Sequence, residues 1–231
     1  MTVSKKITTP VPYSYSKVKA YEQCAFRYYK EKVLKLYPRE PDSEAAIYGS
    51  QFHEAAEFYI RDGKPMPPKF KQFVPILDAL NRIKGKKLCE YQMGITENLE
   101  ACEFDSEEAW WRGICDLCII NKEKAFAIDY KTGSLKSLRF VDMGQLELMA
   151  LGVFIHFPEV KEVKSALLYV VADKMIKDVY TRDDIGRLWT KWLTKFNRMQ
   201  SSFDNDVWNK TESGLCRAHC PVLDCPSNGR N

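Results

Sequence analysis

The sequence predicts an α/β domain with a mixed central sheet and helices on its faces. Three observations predict this class. Apolar residues recur at helical spacing near both ends of the chain, the middle of the chain has runs with strand-like spacing, and one late run is apolar on both faces. With 231 residues, of which 45% are hydrophobic and 29% charged, the chain can bury one full core.

The first third of the chain is predicted to be helical. An irregular arm covers residues 1–13, and the helical region covers 14–84. Within it, three helices are expected, separated by Pro38, by Asp62-Gly63 and by the "KPMPP" linker. Their expected ranges are 16–36, 45–61 and 70–84.

Strand-like runs follow, and residues 85–201 form the predicted core of the domain. Three strands come first, with a hairpin turn expected at 121–123. A helix over 140–156 leads to two further strands, "VKSALLYVVADK" and "MIKDVYT". Thr181 and Asp184 then match a capping box for a helix over 182–201. We expect residues 202–231 to form an irregular, cysteine-rich tail of the same single domain.

Two acids and a lysine interrupt the apolar strands. Asp129 and Lys131 end the run "FAIDYK", and Asp116 lies within "RGICDLCII". Side chains alternate along a strand, so Asp129 and Lys131 share a face while Tyr130 points to the other. A hairpin turning at 121–123 brings residues 116 and 129 to one level. The three charged groups are therefore expected at one edge of the sheet.

A cross-strand ion pair, worth about 0.2–1 kcal/mol, is the simplest interpretation of this cluster. It fits poorly, because two acids share one lysine in strands that are otherwise apolar, and unpaired buried carboxylates are costly. Carboxylate oxygens suit Mg²⁺ or Mn²⁺. A neighbouring lysine can position water or stabilise charge on a phosphate. The pattern therefore favours metal-assisted hydrolysis of a phosphodiester.

Asp116 followed by Asp129-Tyr130-Lys131 resembles the core of the PD-(D/E)XK nuclease superfamily. His53 in "YGSQFHEAAE" and Gln145 in "GQLELMAL" are similar to the histidine and glutamine of its RecB-like branch. That branch includes small bacteriophage nucleases and CRISPR-associated iron–sulfur exonucleases. The resemblance runs from about Ser14 into the tail and implies a restriction-endonuclease-like core.

The resemblance also implies roles for these residues. His53, Asp116, Asp129 and the backbone carbonyl of Tyr130 would bind one or two Mg²⁺ or Mn²⁺ ions. Lys131 would be the catalytic lysine, acting with Asp116 and Asp129, and Gln145 would orient Lys131 or contact DNA. The chain departs from the pattern at two positions: Cys115 replaces the usual proline, and Met149 stands where the motif expects tyrosine.

The tail contains Cys216, Cys220 and Cys225 beside His219. A segment with so few apolar residues would gain order from a metal. Some members of the RecB-like branch hold a [4Fe–4S] cluster with one cysteine ahead of the core and three behind it, and Cys24 matches the first of these. The C-x3-C-x4-C spacing differs from the usual one. Zinc, with Cys24 or His219 as fourth ligand, and free thiols remain alternatives.

Basic residues supply candidate DNA contacts. Lys17 and Arg27 lie in a basic, aromatic helix of the type that tracks a nucleic-acid backbone, and Lys136 and Arg139 follow the Asp129 strand. A solvated helix face is the alternative interpretation. The net charge of +4 permits nucleic-acid binding without arguing for it.

Together these features predict a Mg- or Mn-dependent deoxyribonuclease, an exonuclease acting on DNA ends or single strands in phage replication or recombination. Proteins of those processes would be its partners. The alternative is a non-catalytic DNA-binding or assembly module on a nuclease fold. No apolar run is long enough to span a membrane and the N-terminus lacks a signal-like stretch, so we expect a cytoplasmic protein without membrane partners.

Overall fold

The computed structural model describes residues 12–37, 41–134 and 141–230. The chain forms two compact units. We call Asp42–Trp189 the sheet unit, and Met1–Pro41 together with Thr190–Asn231 the terminal unit. Among the described residues, no helix has the length and apolar character needed to cross a membrane.

The sheet unit contains a six-stranded mixed sheet in the order β2-β1-β3-β4-β5-β6, as predicted for the fold class. The β4–β5 pair is parallel and every other pair is antiparallel. A parallel pair needs a crossover, which helix α5 (Gly144–His156) provides. The strands are β1 Lys86–Ile95, β2 Ala101–Cys102, β3 Trp111–Asn121, β4 Lys124–Lys131, β5 Glu162–Tyr169 and β6 Lys174–Thr181.

The predicted hairpin between β3 and β4 is confirmed. Its turn is at residues 122–123, and Lys122 adopts a positive φ of 52°. Leu117 pairs with Ile128 in the antiparallel register. The next residues of that register, Asp116 and Asp129, therefore lie at one level on neighbouring strands.

Helices cover both faces of the sheet. Helix α3 (Glu44–Asp62), a 3₁₀ segment (Pro68–Phe73) and helix α4 (Val74–Asn81) pack on the face that carries Ile128 and Tyr130. The α5 helix contacts five of the strands and buries ten of its thirteen residues. Such complete burial suits a crossover helix that is apolar nearly all round.

Phe52 of α3 lies at the centre of an aromatic cluster. Its ring meets those of Phe70, Phe73 and Tyr130 edge-on, with centroids 5.5, 5.2 and 5.7 Å away. Edge-to-face pairs of this kind add to the free energy of area burial. The cluster fixes α3 against β4, which determines where His53, the next residue of α3, points.

The terminal unit is built from helices near both ends of the chain. It contains α1 (Tyr15–Gln23), α2 (Ala25–Tyr28), a π-helical turn (Tyr29–Val33), a 3₁₀ turn (Gly214–Cys216) and the part of α6 (Ile185–Asn205) that begins at Thr190. Tyr21 Oη and Ser202 Oγ are 2.7 Å apart, and the rings of Tyr13 and Phe196 stack at 4.9 Å. These contacts tie α1 and the residues just before it to α6.

The prediction of one continuous helix over 16–36 is wrong. Cys24 is extended, with φ −167° and ψ 109°, and separates α1 from α2. Its N–H caps α1 by bonding Ala20 O, and its sulfur caps α2 by accepting from Arg27 N. One residue that serves as both caps redirects the chain, a role that apolar spacing does not reveal.

Smaller differences follow local chemistry. The predicted helix over 70–84 is α-helical only from Val74 to Asn81, because Pro75 has no N–H to continue the preceding turn. The Thr181–Asp184 capping box is confirmed, but it starts a 3₁₀ turn, and α6 continues to Asn205. Strand β2 has only two residues and therefore no alternation to detect.

The aromatic cluster yields a stability prediction. Phe52→Ala removes a fully buried ring and should lower the free energy of unfolding by about 3–5 kcal/mol. Ile47→Ala, on the same helix and 47% exposed, is the matched control and should change it by less than about 0.5 kcal/mol. Urea unfolding followed by circular dichroism measures both. Equal effects of the two substitutions would contradict the assigned packing.

Candidate active site

The His53 imidazole extends from α3 and contacts two neighbouring strands, β3 and β4. Its Nε2 is 3.1 Å from the backbone oxygen of Tyr130, and its Nδ1 is 3.4 Å from Asp116 Oδ2. Tyr130 O can only accept, so Nε2 carries a hydrogen in this arrangement. The Nδ1 atom therefore faces the carboxylate, where either a proton or a metal ion would be favourable.

The Asp116 and Asp129 carboxyls are both buried, at 8% and 7% exposure. Asp116 Oδ2 accepts a hydrogen bond of 2.6 Å from Tyr130 N, which links β3 to β4 beyond the last paired residues. The Lys131 Nζ lies 2.7 Å from Asp129 Oδ2. Strand alternation thus produces the expected pair on one face.

Gln145, in the first turn of α5, joins the same network. Lys131 Nζ donates to Gln145 Oε1 at 3.0 Å, and Gln145 Nε2 donates to Asp129 Oδ1. Gln145, Asp129 and Lys131 form a closed ring of contacts. Met149, one turn further along α5, is buried at 3% exposure, so an apolar side chain fills the position where the motif expects tyrosine.

Glu90 is a site residue that the sequence reasoning missed. Cys89 pairs with Leu117 and Tyr91 with Cys115, so Glu90 lies level with Asp116 on the other neighbour of β3. Its backbone has φ 48°, an uncommon conformation for a residue other than glycine. An acid within the strand "KLCEYQMGI" is the signal that singled out Asp116, and it was available here too.

Glu90, His53 and Asp116 are close enough to share an ion. One ligand atom from each lies within 4.8 Å of the others. The Glu90 side chain makes no hydrogen bond or ion pair within the described part of the chain, and it is half-buried. A carboxyl that is buried without a partner favours a cation at this point.

The pKa shifts of Glu90, Asp129 and His53 also indicate that the site has more negative than positive charge. Burial, and then repulsion by Asp116, raise the pKa of Glu90 to about 7. Burial and Asp116 also raise the pKa of Asp129, although Lys131 opposes them. For His53, burial lowers the pKa, but the hydrogen bond and charge of Asp116 outweigh it and raise the pKa above its usual value. Each shift would be relieved by a divalent cation.

Of the four candidate DNA contacts, two lie in the terminal unit and already have partners there. Lys17 Nζ donates to Pro12 O at 2.6 Å, and Arg27 Nε donates to Glu31 Oε2 at 2.7 Å. Lys136 and Arg139 lie outside the described residues.

Four cysteines of the terminal unit line one cavity of ≈ 20 Å³: Cys24, Cys216, Cys220 and Cys225. Cys24 Sγ accepts from two backbone donors, Arg27 N at 3.5 Å and Thr211 N at 3.4 Å. His219 is exposed and is not among the lining residues. The side chains around this cavity that could bind a soft metal are therefore thiols. The remaining cysteines lie in the sheet unit.

Comparisons with known proteins concern the family and the fold of the chain. The model of the PD-(D/E)XK nuclease superfamily matches residues 12–225. The fold is similar to the crystal structure of a candidate exonuclease from Eubacterium rectale, with 15% identity, a TM-score of 0.54 and coverage of 92% of this chain and 89% of that one. The protein SSO0001 is also similar, with 14% identity, a TM-score of 0.45 and coverage of 94% and 86%. No curated protein matches the chain.

The family match spans both the His53 helix and the β3–β4 hairpin, and the mixed sheet carries Asp116, Asp129 and Lys131 in the order that the resemblance implied. The chain belongs to the PD-(D/E)XK nuclease superfamily.

Proposed function

We propose that this nuclease is a Mg- or Mn-dependent deoxyribonuclease that acts as an exonuclease on DNA ends or single strands. The observation that carries the proposal is the approach of His53, Glu90 and Asp116 to within 4.8 Å of one another, beside the Asp129–Lys131 pair. The E. rectale protein of similar fold is named as a candidate exonuclease, which agrees with the proposal.

Oxygen donors dominate the proposed metal site, which suits a hard cation. His53 Nδ1 and the carboxylates of Glu90, Asp116 and Asp129 would hold one or two ions, and Tyr130 O has a second lone pair free of the His53 contact. A bound Mg²⁺ or Mn²⁺ would polarise the scissile phosphate and lower the pKa of a water molecule.

Lys131 supplies the chain's own positive charge at the site. An ammonium group has three N–H donors, and Asp129 and Gln145 engage two of them. The third is available to a phosphate oxygen or to the attacking water. Gln145 fixes the direction of Nζ from the side of α5, so we assign it a positioning role.

A non-catalytic DNA-binding module would have no use for this arrangement. Among the described residues, these three carboxyls share one lysine and one histidine as cationic neighbours in contact, an arrangement that lowers stability, and a chain that merely binds DNA gains nothing from it. We propose Lys17, Arg27, Lys136 and Arg139 as DNA contacts, and phage replication or recombination in the host cytoplasm as the setting.

We further propose that Cys24, Cys216, Cys220 and Cys225 hold a [4Fe–4S] cluster with a structural role. All-thiolate donors and the two N–H groups directed at Cys24 Sγ suit such a ligand set. In the described chain, no three of these sulfurs lie within 4.8 Å of one another. Tetrahedral zinc, with Zn–S of about 2.3 Å, would need them closer, so zinc is the second candidate.

The hydrolytic assignment is tested by two substitutions in β4. Asp129→Ala and Lys131→Ala should each lower Mg²⁺- or Mn²⁺-dependent cleavage of labelled DNA by at least about 100-fold, because the metal or the lysine is lost. Lys124→Ala, at the exposed start of the same strand, should cleave normally. Unfolding midpoints would be measured in parallel. Normal cleavage by both variants would overturn the mechanism.

The Glu90 assignment is tested by metal affinity. Glu90→Gln should weaken Mn²⁺ binding by about tenfold at about pH 8, as measured by isothermal titration calorimetry. In the wild type, Mn²⁺ affinity should fall as the pH is lowered through about 7, because Glu90 and His53 must then lose protons to bind. Glu90→Gln should reduce this pH dependence.

Glu100→Gln, at an exposed position outside the site, is the matched control for the calorimetry. A wild-type affinity and a wild-type pH dependence in Glu90→Gln would exclude Glu90 from the metal site.

The cysteine assignment is tested by composition and colour. Protein purified without oxygen should be brown, absorb at about 400 nm and contain iron. Cys24→Ser should lose the iron, whereas Cys102→Ser in the sheet unit should keep it. Colourless protein with one zinc per chain would instead support the second candidate, and protein without either metal would leave free thiols.

A further inference from the structure

The candidate active site opens into a groove of ≈ 510 Å³ beside helix α3. Its lining residues are Gly49, Ser50, His53, Glu54, Glu57 and Glu90. Three of the six are carboxylates, and neither lysine nor arginine is among them.

Of the three carboxylates, Glu90 belongs to the proposed metal site, so Glu54 and Glu57 supply the remaining negative charge of the groove. The Glu54 side chain is exposed and, in the described ranges, forms no hydrogen bond or ion pair. Glu57 pairs with Arg61, but the same guanidinium also contacts Asp62, so one cation serves two carboxylates. Lys131, the cation of the site, does not line the groove.

This distribution limits how DNA can lie across the metal. A nucleic-acid strand carries one phosphate charge per nucleotide, with a spacing of about 3.4 Å along each strand of a duplex. A strand that continued on both sides of the scissile phosphate would bring the next phosphate into the groove, against Glu54 and Glu57. Like charges repel, and the repulsion grows where the substrate displaces water from between them.

We infer that Glu54 and Glu57 form an anionic wall that excludes a continuing strand or a phosphorylated end, so that the groove receives a terminal nucleotide ending in a free hydroxyl. This inference rests on the proposed nuclease function and specifies its substrate. A nucleotide whose only phosphate is the scissile one places an uncharged sugar and base in the groove. The wall thus selects against internal cleavage without contacting the reacting atoms.

The test compares substrates with saturating Mn²⁺. Wild-type protein should degrade linear single-stranded DNA with hydroxyl ends at least about tenfold faster than covalently closed circles or DNA phosphorylated at both ends. Glu54→Lys should raise the relative rate on circles and on phosphorylated ends by about tenfold, and Glu54→Gln by less. Glu44→Gln, an exposed position of α3 outside the groove, should keep the wild-type ratio.

The outcomes separate the two proposals. Failure to cleave any DNA with any divalent metal would overturn the nuclease proposal. Cleavage of circles as fast as linear DNA by the wild type would overturn the wall alone, as would an unchanged ratio in Glu54→Lys. If Glu54→Gln slowed all substrates equally and weakened Mn²⁺ binding, Glu54 would act through the metal, and the wall would again be wrong.

Discussion

The register of the β3–β4 hairpin is the constraint on which the site depends. Pairing of Leu117 with Ile128 brings Asp116 level with Asp129, and the bond from Tyr130 N to Asp116 Oδ2 holds that level where ladder pairing ends. A slip of one residue would turn every side chain of β4 to the opposite face. Such a slip would move the apolar side chains of β4 out of the core on both faces of the sheet, so it is unfavourable. The packing of the core therefore also fixes the geometry of the site.

The cost of the site is electrostatic. Glu90, Asp116 and Asp129 are buried or half-buried together, and burial, followed by repulsion from Asp116, raises the pKa of Glu90 and of Asp129. A site arranged in this way is poised for a divalent cation, because binding would relieve the repulsion that folding creates. The repulsion lowers the stability of the metal-free protein, and a bound divalent cation would restore that stability.

Positive and negative side chains lie on opposite sides of the candidate site. In the sheet unit, Lys131 lies on the α5 side of the site, held by Gln145, while the groove beside α3 carries carboxylates. A phosphate is attracted by the first and repelled by the second. In the terminal unit, Cys24 shares a cavity with three other thiols; its extended backbone ends α1, and its sulfur accepts from two N–H groups.

Much of this could be predicted from the sequence, because periodicity is local. The strands β3 and β4, their turn and the shared face of Asp129 and Lys131 follow from a period of two, and the α/β class follows from the order of elements. The break at Cys24 could not be predicted, since capping by a sulfur leaves no trace in apolar spacing. Glu90 carries the same sequence signal as Asp116, an acid within a strand, but its position level with Asp116 follows from the pairing of β1 with β3, which only the folded sheet decides. The same holds for the acidic groove, since exposed glutamates on a helix look alike until the tertiary structure sets some of them beside the candidate metal site.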